Sequence, residues 1–422
     1  MKYGLVIQFF LAKQYRQMRN RIEIAFFYFF NSFLLPLGLN FTTLFSPLFV
    51  IQLFKDKNSL KYAKQFLVVL LLFVPFHIIN GVSYFQYFKS LLLFLPCVIF
   101  YNYIQTYLLE TRIDRVFRFI SKMNIYLTGV AILVFFTPYK DILWYNSIYT
   151  AGIETASRLR MFTLESAVYS LFLVPLFLFY FIRVQTINLK SDRIGLVIIS
   201  IPLVLSLSFG VIGMLSFVVC FFFIYRLINT SIKNKTKKTK SIQYLFLALI
   251  VLLILSFFFI FPNSNIAIRV SNIISGDDSS GNGRIFEPWI LAYQIIQQKS
   301  LLLGIGIGQL NIIGYDIIDS FYNLYGANDK VALPNVVVET FLFYGIIGLF
   351  VRFYIILSCA IRTKVFSSPY RFMLFSFMFL YQFTGSNIMN VIEYAIWAMA
   401  FSPVLDKYFN DSSKIIFKEH PL

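Results

Sequence analysis

Apolar residues fall in runs of about twenty or more along this chain, the length a helix needs to cross a ~30 Å hydrocarbon core. The polar stretches between them alternate between strongly basic and nearly uncharged. Spanning segments must satisfy their own backbone groups, so continuous apolar runs predict helices and not the alternating strands of a membrane barrel. The run at 24–54 divides near Asn40 and that at 66–109 divides at Asn80-Gly81. The stretch 124–182 holds two spans around a loop at 138–163, and 194–225 divides near 208–210. Two more spans flank a long segment at 262–334, and 372–405 divides near 385–390. The pattern predicts an all-α polytopic protein of about 12 transmembrane helices, built as one integral membrane domain over 1–422. Spans 41–54 and 124–137 are short, and a re-entrant segment could replace one hairpin. No internal repeat is visible.

Composition agrees: 59% of residues are hydrophobic, 19% aromatic and only 13% charged, more apolar surface than a soluble domain of this size can hide. The net charge of +18 would suit a nucleic-acid binder, but its distribution does not. Seven short blocks beside the spans hold 28 of the 37 lysines and arginines. That is the positive-inside signature, so the blocks and both termini are expected in the cytoplasm, with 138–163 and 262–334 facing away from it. The lysine-rich block at 233–240 reads first as a topology anchor and second as a contact for anionic lipid. Cys97, Cys220 and Cys359 lie in predicted spans, with neither a disulfide framework nor metal-ligand spacing. Basic residues continue to Arg21 and further spans follow, so no cleavable signal is expected. A Gly-rich phosphate loop with its lysine is absent, as is a large cytoplasmic domain, which excludes a built-in nucleotide-hydrolysing motor.

The long outward segment carries its own pattern. Asn282-Gly283 is a helix-start signal and Pro288 suits a first turn. Over 285–298 apolar positions cover most of a helix, while Arg284, Glu287, Gln294 and Gln298 share a narrow polar stripe. Such a helix lies on the membrane surface or against the bundle. Gly304, Gly306 and Gly308 then permit tight turns, either as a plain loop or as a phosphate-contacting one.

Outward loops usually shed positive charge, so the arginines kept there are candidates for chemistry. Guanidinium groups bind phosphate oxygens bidentately, and Arg158, Arg160 and Arg284 could grip a pyrophosphate; helix-end solvation or pairing with an acid is the competing account. Lys89, Lys140, Arg269, Lys299 and Lys330 are the other outward cations. Glu165, Glu339 and Glu393 each stand within about a turn of a predicted helix N-terminus, where the macrodipole favours a carboxylate and where a lipid head group would meet the protein. Arg352 lies deeper and is expected to snorkel. Asp277, Asp278, Asp316 and Asp319 could ligate a divalent ion, although acidic pairs are common in polar loops.

Three stretches then resemble bacterial O-antigen polymerases. RMFTLESAVYSLFL (160–173) resembles the Arg-x-x-x-x-Glu-[Pro/Ser] opening of a middle span. GNGRIFEPWILAYQIIQQKSLLLGIGIGQLN (281–311) is similar to the family's outer-loop signature of an Arg, a Trp-containing helix and a Gly-x-Gly run. LPNVVVETFLFYGIIGLF (333–350) resembles the Asn-x-x-x-Glu entry to the next span. The resemblance implies a fold like the C-type multi-span glycosyltransferases, with a large periplasmic loop containing short helices. It also implies a cofactor-free, inverting polymerase of undecaprenyl-pyrophosphate-linked oligosaccharide in the bacterial inner membrane. The partners would be lipid and a chain-length regulator, with no nucleic acid and no metal. Glu165 or Glu339 would be the base, Arg158, Arg160 and Arg284 would hold pyrophosphate, and Asn335 would position a head group or the loop. O-antigen ligases share the plan but carry a His before the Asn, where this chain has Pro334. A flippase for the same lipid-linked unit is a further alternative, which would more often show internal repeats.

Overall fold

The computed structural model describes residues 60–146, 157–232, 279–322 and 333–409, with a few positions between 22 and 50 and residue 275. Most of the first predicted hairpin, the 233–240 lysine block, the predicted span before residue 262, Arg269, Asp277, Asp278, Lys330 and His420 lie outside the described residues.

The described chain is almost wholly helical. Helices α1 (Leu60–Ile79) and α2 (Tyr84–Glu110) form a hairpin, and α3 (Ile113–Phe135) follows. A two-stranded hairpin, β1 (Trp144–Asn146) with β2 (Ser157–Leu159), leads into α4 (Ser166–Thr186). Next come α5 (Lys190–Leu205) and α6 (Phe209–Ile232). The long segment contributes α7 (Ser279–Ile285), α8 (Glu287–Ile296), α9 (Leu310–Ile313) and α10 (Tyr315–Tyr322). The bundle closes with α11 (Val336–Arg362), α12 (Pro369–Tyr381) and α13 (Val391–Ala400). Among the described residues four helices, α2, α3, α4 and α11, are long and apolar enough to cross a membrane. Their breaks fall at Asn80-Gly81, 208 and 382–390, where the hydropathy divides.

Helix α3 is longer than its apolar run. The basic stretch before residue 124 is helical because Asp114, in its first turn, accepts from Arg112 and, one turn on, from Arg118 at 3.2 Å. At the same end of the bundle two buried arginines lock the helices. Arg183 pairs with Asp192 at 3.0 Å and donates to the Tyr408 carbonyl. Arg371 reaches both Asp406 oxygens and the Thr363 and Lys364 carbonyls.

The opposite end carries the loops. There α11 is broken at Gly345 (φ 66°), and the run 299–309 sinks into the break. Ile305 and Gly306 donate to the Leu342 and Phe343 carbonyls, and Ile346 and Ile347 donate back to Leu301 and Leu302. Every backbone group freed by the break at those positions thus finds a partner, as a break inside an apolar bundle requires. Gly304 (φ 78°) faces Gly345, and a Cβ on either would sit within 2.6 Å of the other segment's backbone. The Gly run is therefore a packing device, Gly304 against α11 and Gly306 and Gly308 against the start of α2, neither a free loop nor an open turn. Lys299 donates to the Asn80 and Gly81 carbonyls, and Gln309 pairs with both backbone groups of Ser83. Buried His77 faces the Leu303 carbonyl through Nε2, which fixes that nitrogen as the donor and leaves Nδ1 to accept from the Tyr87 hydroxyl.

Helix α8 lies against α11 as the sequence pattern expects. Leu291, Ala292, Ile295 and Ile296 are buried, and Trp289 meets Phe341. The predicted stripe is interrupted, because the chain bends at Phe286 and Arg284 ends the preceding helix.

Candidate functional site

At the loop end, the β1–β2 hairpin is pinned by Trp144, whose Nε1 donates to the Ala131 carbonyl of α3. Tyr145 pairs across the strands with Arg158. The chain then turns through buried Met161 (φ 52°), and the amides of Arg160 and Met161 both donate to Leu143. Arg160 spends its guanidinium on this corner: Nη2 donates to the Asp141 carbonyl at 2.6 Å and Nη1 to Leu164 at 3.3 Å. Glu165 occupies the N-cap position of α4, but its side chain makes no capping hydrogen bond and stays exposed. The helix terminus alone does not account for its orientation.

Asn335 is the hinge pin of the site. It is fully buried, its Oδ1 caps α11 by accepting from the Val338 amide, and its Nδ2 donates to the Arg284 and Phe383 carbonyls at 2.9 and 2.7 Å. One side chain thereby joins the end of α7, the start of α11 and the loop after α12. The Arg284 guanidinium extends towards the α5–α6 turn, where a Cβ on Gly210 would come within 3.9 Å of its Nη1. Tyr381, at the end of α12, is buried, and Arg284, Glu165 and Glu393 all act on it electrostatically. The ring of Tyr381 fills the space beside Gly385.

One turn below Asn335, Glu339 is buried. Its Oε2 accepts from the Ile388 amide at 2.6 Å, and its Oε1 has no partner among the described residues. Deeper still, Arg352 does not snorkel. It donates through Nε to Gln382 at 3.0 Å and through Nη2 to Glu393 Oε1 at 2.5 Å. Trp397 donates to the same Glu393 oxygen.

Of the residues singled out in the sequence, the structure brings together Asn335 and Arg284, through the Arg284 carbonyl. Arg158 and Arg160 stay with the hairpin corner, and Glu339 faces the 383–390 loop. Sequence reasoning missed Tyr381 and Gln382. Their signal is a Tyr-Gln pair ending an apolar run just before a Gly-Ser-Asn break. Among the described residues no group of three or more His, Cys, Asp or Glu is placed to hold a metal. The Arg284 guanidinium offers a cation for anionic oxygens, and Glu165 an exposed carboxylate that can take a proton.

The described helices define an all-α protein with several helices suited to crossing a membrane. Residues 194–353 match the family model described as O-antigen ligase, which supports a likeness to the O-antigen polymerase/ligase superfamily over that stretch. The matched stretch includes Gly210, Arg284, Asn335, Glu339 and Arg352 but not the 158–165 corner or the 381–393 loop. No curated protein matches the chain.

Proposed function

We propose that the protein is an O-antigen polymerase, or the polymerase of a related surface polysaccharide. It joins undecaprenyl-pyrophosphate-linked repeat units at the periplasmic face of the bacterial inner membrane. The observation that carries this reading is Asn335, whose side chain ties the Arg284 end of α7 to the start of α11 and to the loop after α12, at the loop end of the bundle.

In the transfer, the bond between the donor's anomeric carbon and the pyrophosphate oxygen breaks. A bond forms from that carbon to an acceptor hydroxyl oxygen. The hydroxyl proton passes to a carboxylate, and the lipid pyrophosphate leaves with the bonding electron pair. Glu165 is the better-placed base, since it is exposed, whereas one Glu339 oxygen is occupied by Ile388. Arg284 stabilises charge that grows on the pyrophosphate. Asn335 positions Arg284 through its backbone. Arg158 and Arg160 shape the corner that presents Glu165.

The ligase reading is disfavoured by Pro334 before Asn335 and by the consumption of His77 between Tyr87 and Leu303. Purified protein in lipid, given lipid-linked repeat units and no gradient, should lengthen the glycan beyond two units and release polyprenyl pyrophosphate. Transfer only to lipid A-core acceptor would make it a ligase, and movement without bond formation would make it a flippase.

A further inference from the structure

Helix α8 is apolar on two sides. One side, Leu291, Ala292, Ile295 and Ile296, is buried against α11. The other carries Phe286, Trp289, Ile290 and Tyr293, exposed and recurring at three- and four-residue spacings. A helix facing water carries polar residues on that side. The two charged groups of the stretch 285–302 are instead engaged by the protein itself: Glu287 accepts from the Tyr322 hydroxyl, and Lys299 donates to the Asn80 and Gly81 carbonyls. The exposed face of α8 carries no charge.

That face leads into a surface whose surroundings are known. Leu301 and Leu302, exposed just beyond α8, accept through their carbonyls from the Ile346 and Ile347 amides of α11. From there Ile347, Phe350, Tyr354, Leu357 and Ile361 are exposed in one helical stripe down the rest of α11. Helix α11 is among those long and apolar enough to cross a membrane, so the stripe faces acyl chains. Apolar surface thus runs from a lipid-facing span, across Leu301 and Leu302, to α8.

We infer that the exposed face of α8, with Leu301 and Leu302, is seated in the bilayer leaflet at the loop end of the bundle, at the boundary between head groups and acyl chains. The side chains suit that depth: Trp and Tyr rings favour the interface, and Phe, Ile and Leu favour the acyl region beneath it. Apolar area alone holds the seat. Lys299, the one cation of the stretch, is consumed at the end of α1, so lipid without net charge suffices. Part of the segment 262–334, expected to face away from the membrane, is then a wall of the membrane domain. Lipid contact at α8 is independent of the glycan reading, since none of these side chains has a part in the transfer.

The test uses the intact protein in phosphatidylcholine vesicles, read by tryptophan fluorescence. Emission of the wild type minus that of Trp289→Phe isolates Trp289. Acyl chains brominated near the head group should remove most of that emission, chains brominated near the methyl end should remove less, and iodide in the water should remove little. Adding phosphatidylglycerol should change none of these. If Trp289→Phe does not fold, Tyr293→Trp adds a reporter to the same face, with the wild type as its blank, and should behave alike. Strong quenching by iodide and none by lipid would put the face in water. Protection from both would put it against protein, a second copy included. Quenching by lipid only when phosphatidylglycerol is present would show that charge seats the helix. Each of these three results would overturn the proposal.

Discussion

Asn335 holds Arg284 by its backbone: the amide of one side chain donates at 2.9 Å to the carbonyl of the other residue, across the whole intervening loop. The guanidinium is left free to point elsewhere. Two substitutions test the tasks Asn335 performs. Asn335→Asp keeps an oxygen for the Val338 amide but removes both Nδ2 donations. Asn335→Ala removes everything. The alanine variant should lose about 1–2 kcal/mol for the cap alone, read as a lower unfolding midpoint in detergent. The aspartate variant sets a buried carboxylate oxygen against the Arg284 and Phe383 carbonyls, so it should be at least as destabilised as the alanine variant and lose polymer yield as completely, because Arg284 is no longer held. Equal yield from wild type and Asn335→Asp would remove the tether from the mechanism.

Arg284 and Glu165 are expected to fail differently. Arg284→Lys retains charge but not the planar fork, and Arg284→Ala retains neither. Turnover should fall progressively, reaching about 10²–10³-fold in the alanine variant, the range for removing one preorganised stabiliser of developing charge. Glu165→Gln should lose about 10²–10⁴-fold with an unchanged unfolding midpoint, as for loss of a general base. Glu339→Gln can still accept from the Ile388 amide and should remain active. If the two glutamates exchange these behaviours, Glu339 is the base. Chain-length ladders at matched protein levels make the comparison.

Much of the fold was legible from hydropathy, because the cost of exposing backbone and charge to lipid fixes where spans can begin and end. Asn80-Gly81 and Ser208 break the chain as read, and α8 docks by its apolar face. The break at Gly345 was not legible: its own run is continuously apolar, and the conformation is imposed by Leu301–Gly306, a segment well upstream. Arg352 looked like a snorkelling side chain because no acid lies near it in sequence; Glu393 arrives from another helix. Within the site, the residue types Arg284, Asn335 and Glu165 were visible. The tie between Asn335 and the Arg284 backbone was not, since it depends on how the end of α7 meets the start of α11.

The Arg352–Glu393 pair is nearly excluded from solvent, with side-chain exposures of 12% and 1%. Breaking such a pair strands a charge and costs about 3–5 kcal/mol, whereas replacing both partners with apolar groups is often near neutral. Arg352→Met and Glu393→Leu should each lower the unfolding midpoint sharply. The double variant should recover most of the loss. Additive single effects would mean that the two side chains do not stabilise one another.

In the long loop segment, the Tyr322 hydroxyl donates to Glu287 at 2.6 Å and ties α10 to α8. Burial, and then the neighbouring Glu287 carboxylate, push the phenol above its ordinary range. The folded state therefore holds this proton more tightly than the unfolded chain does. The stabilisation is complete below the unfolded value of about 10 and is lost as pH rises above it. Hydrogen exchange over residues 287–322 should accelerate above that pH in the wild type. Tyr322→Phe should exchange faster at neutral pH and show less alkaline acceleration; identical profiles would show that the contact does not hold the loop.

The Gly304–Gly345 approach gives the sharpest stability contrast in the chain. A Cβ on Gly345 would fall 2.2 Å from the Leu302 carbonyl oxygen, and one on Gly304 would fall 2.5 Å from the Phe343 carbonyl carbon. Both glycines also hold positive φ, which an L side chain adopts only under strain. The obstacle in each case is backbone, which cannot swing aside, and moving it would break the four hydrogen bonds that satisfy the interrupted helix. Gly304→Ala and Gly345→Ala should therefore each cost more than about 3 kcal/mol, beyond the ordinary range for a point substitution. Recovery of monodisperse protein should fall accordingly. Gly129→Ala is the control: nothing lies within 4 Å of its added methyl, and it sits inside α3. It should leave recovery unchanged or raise the unfolding midpoint slightly, as expected for alanine over glycine in a helix. If Gly345→Ala folds as well as Gly129→Ala, the upstream loop does not occupy the break in α11.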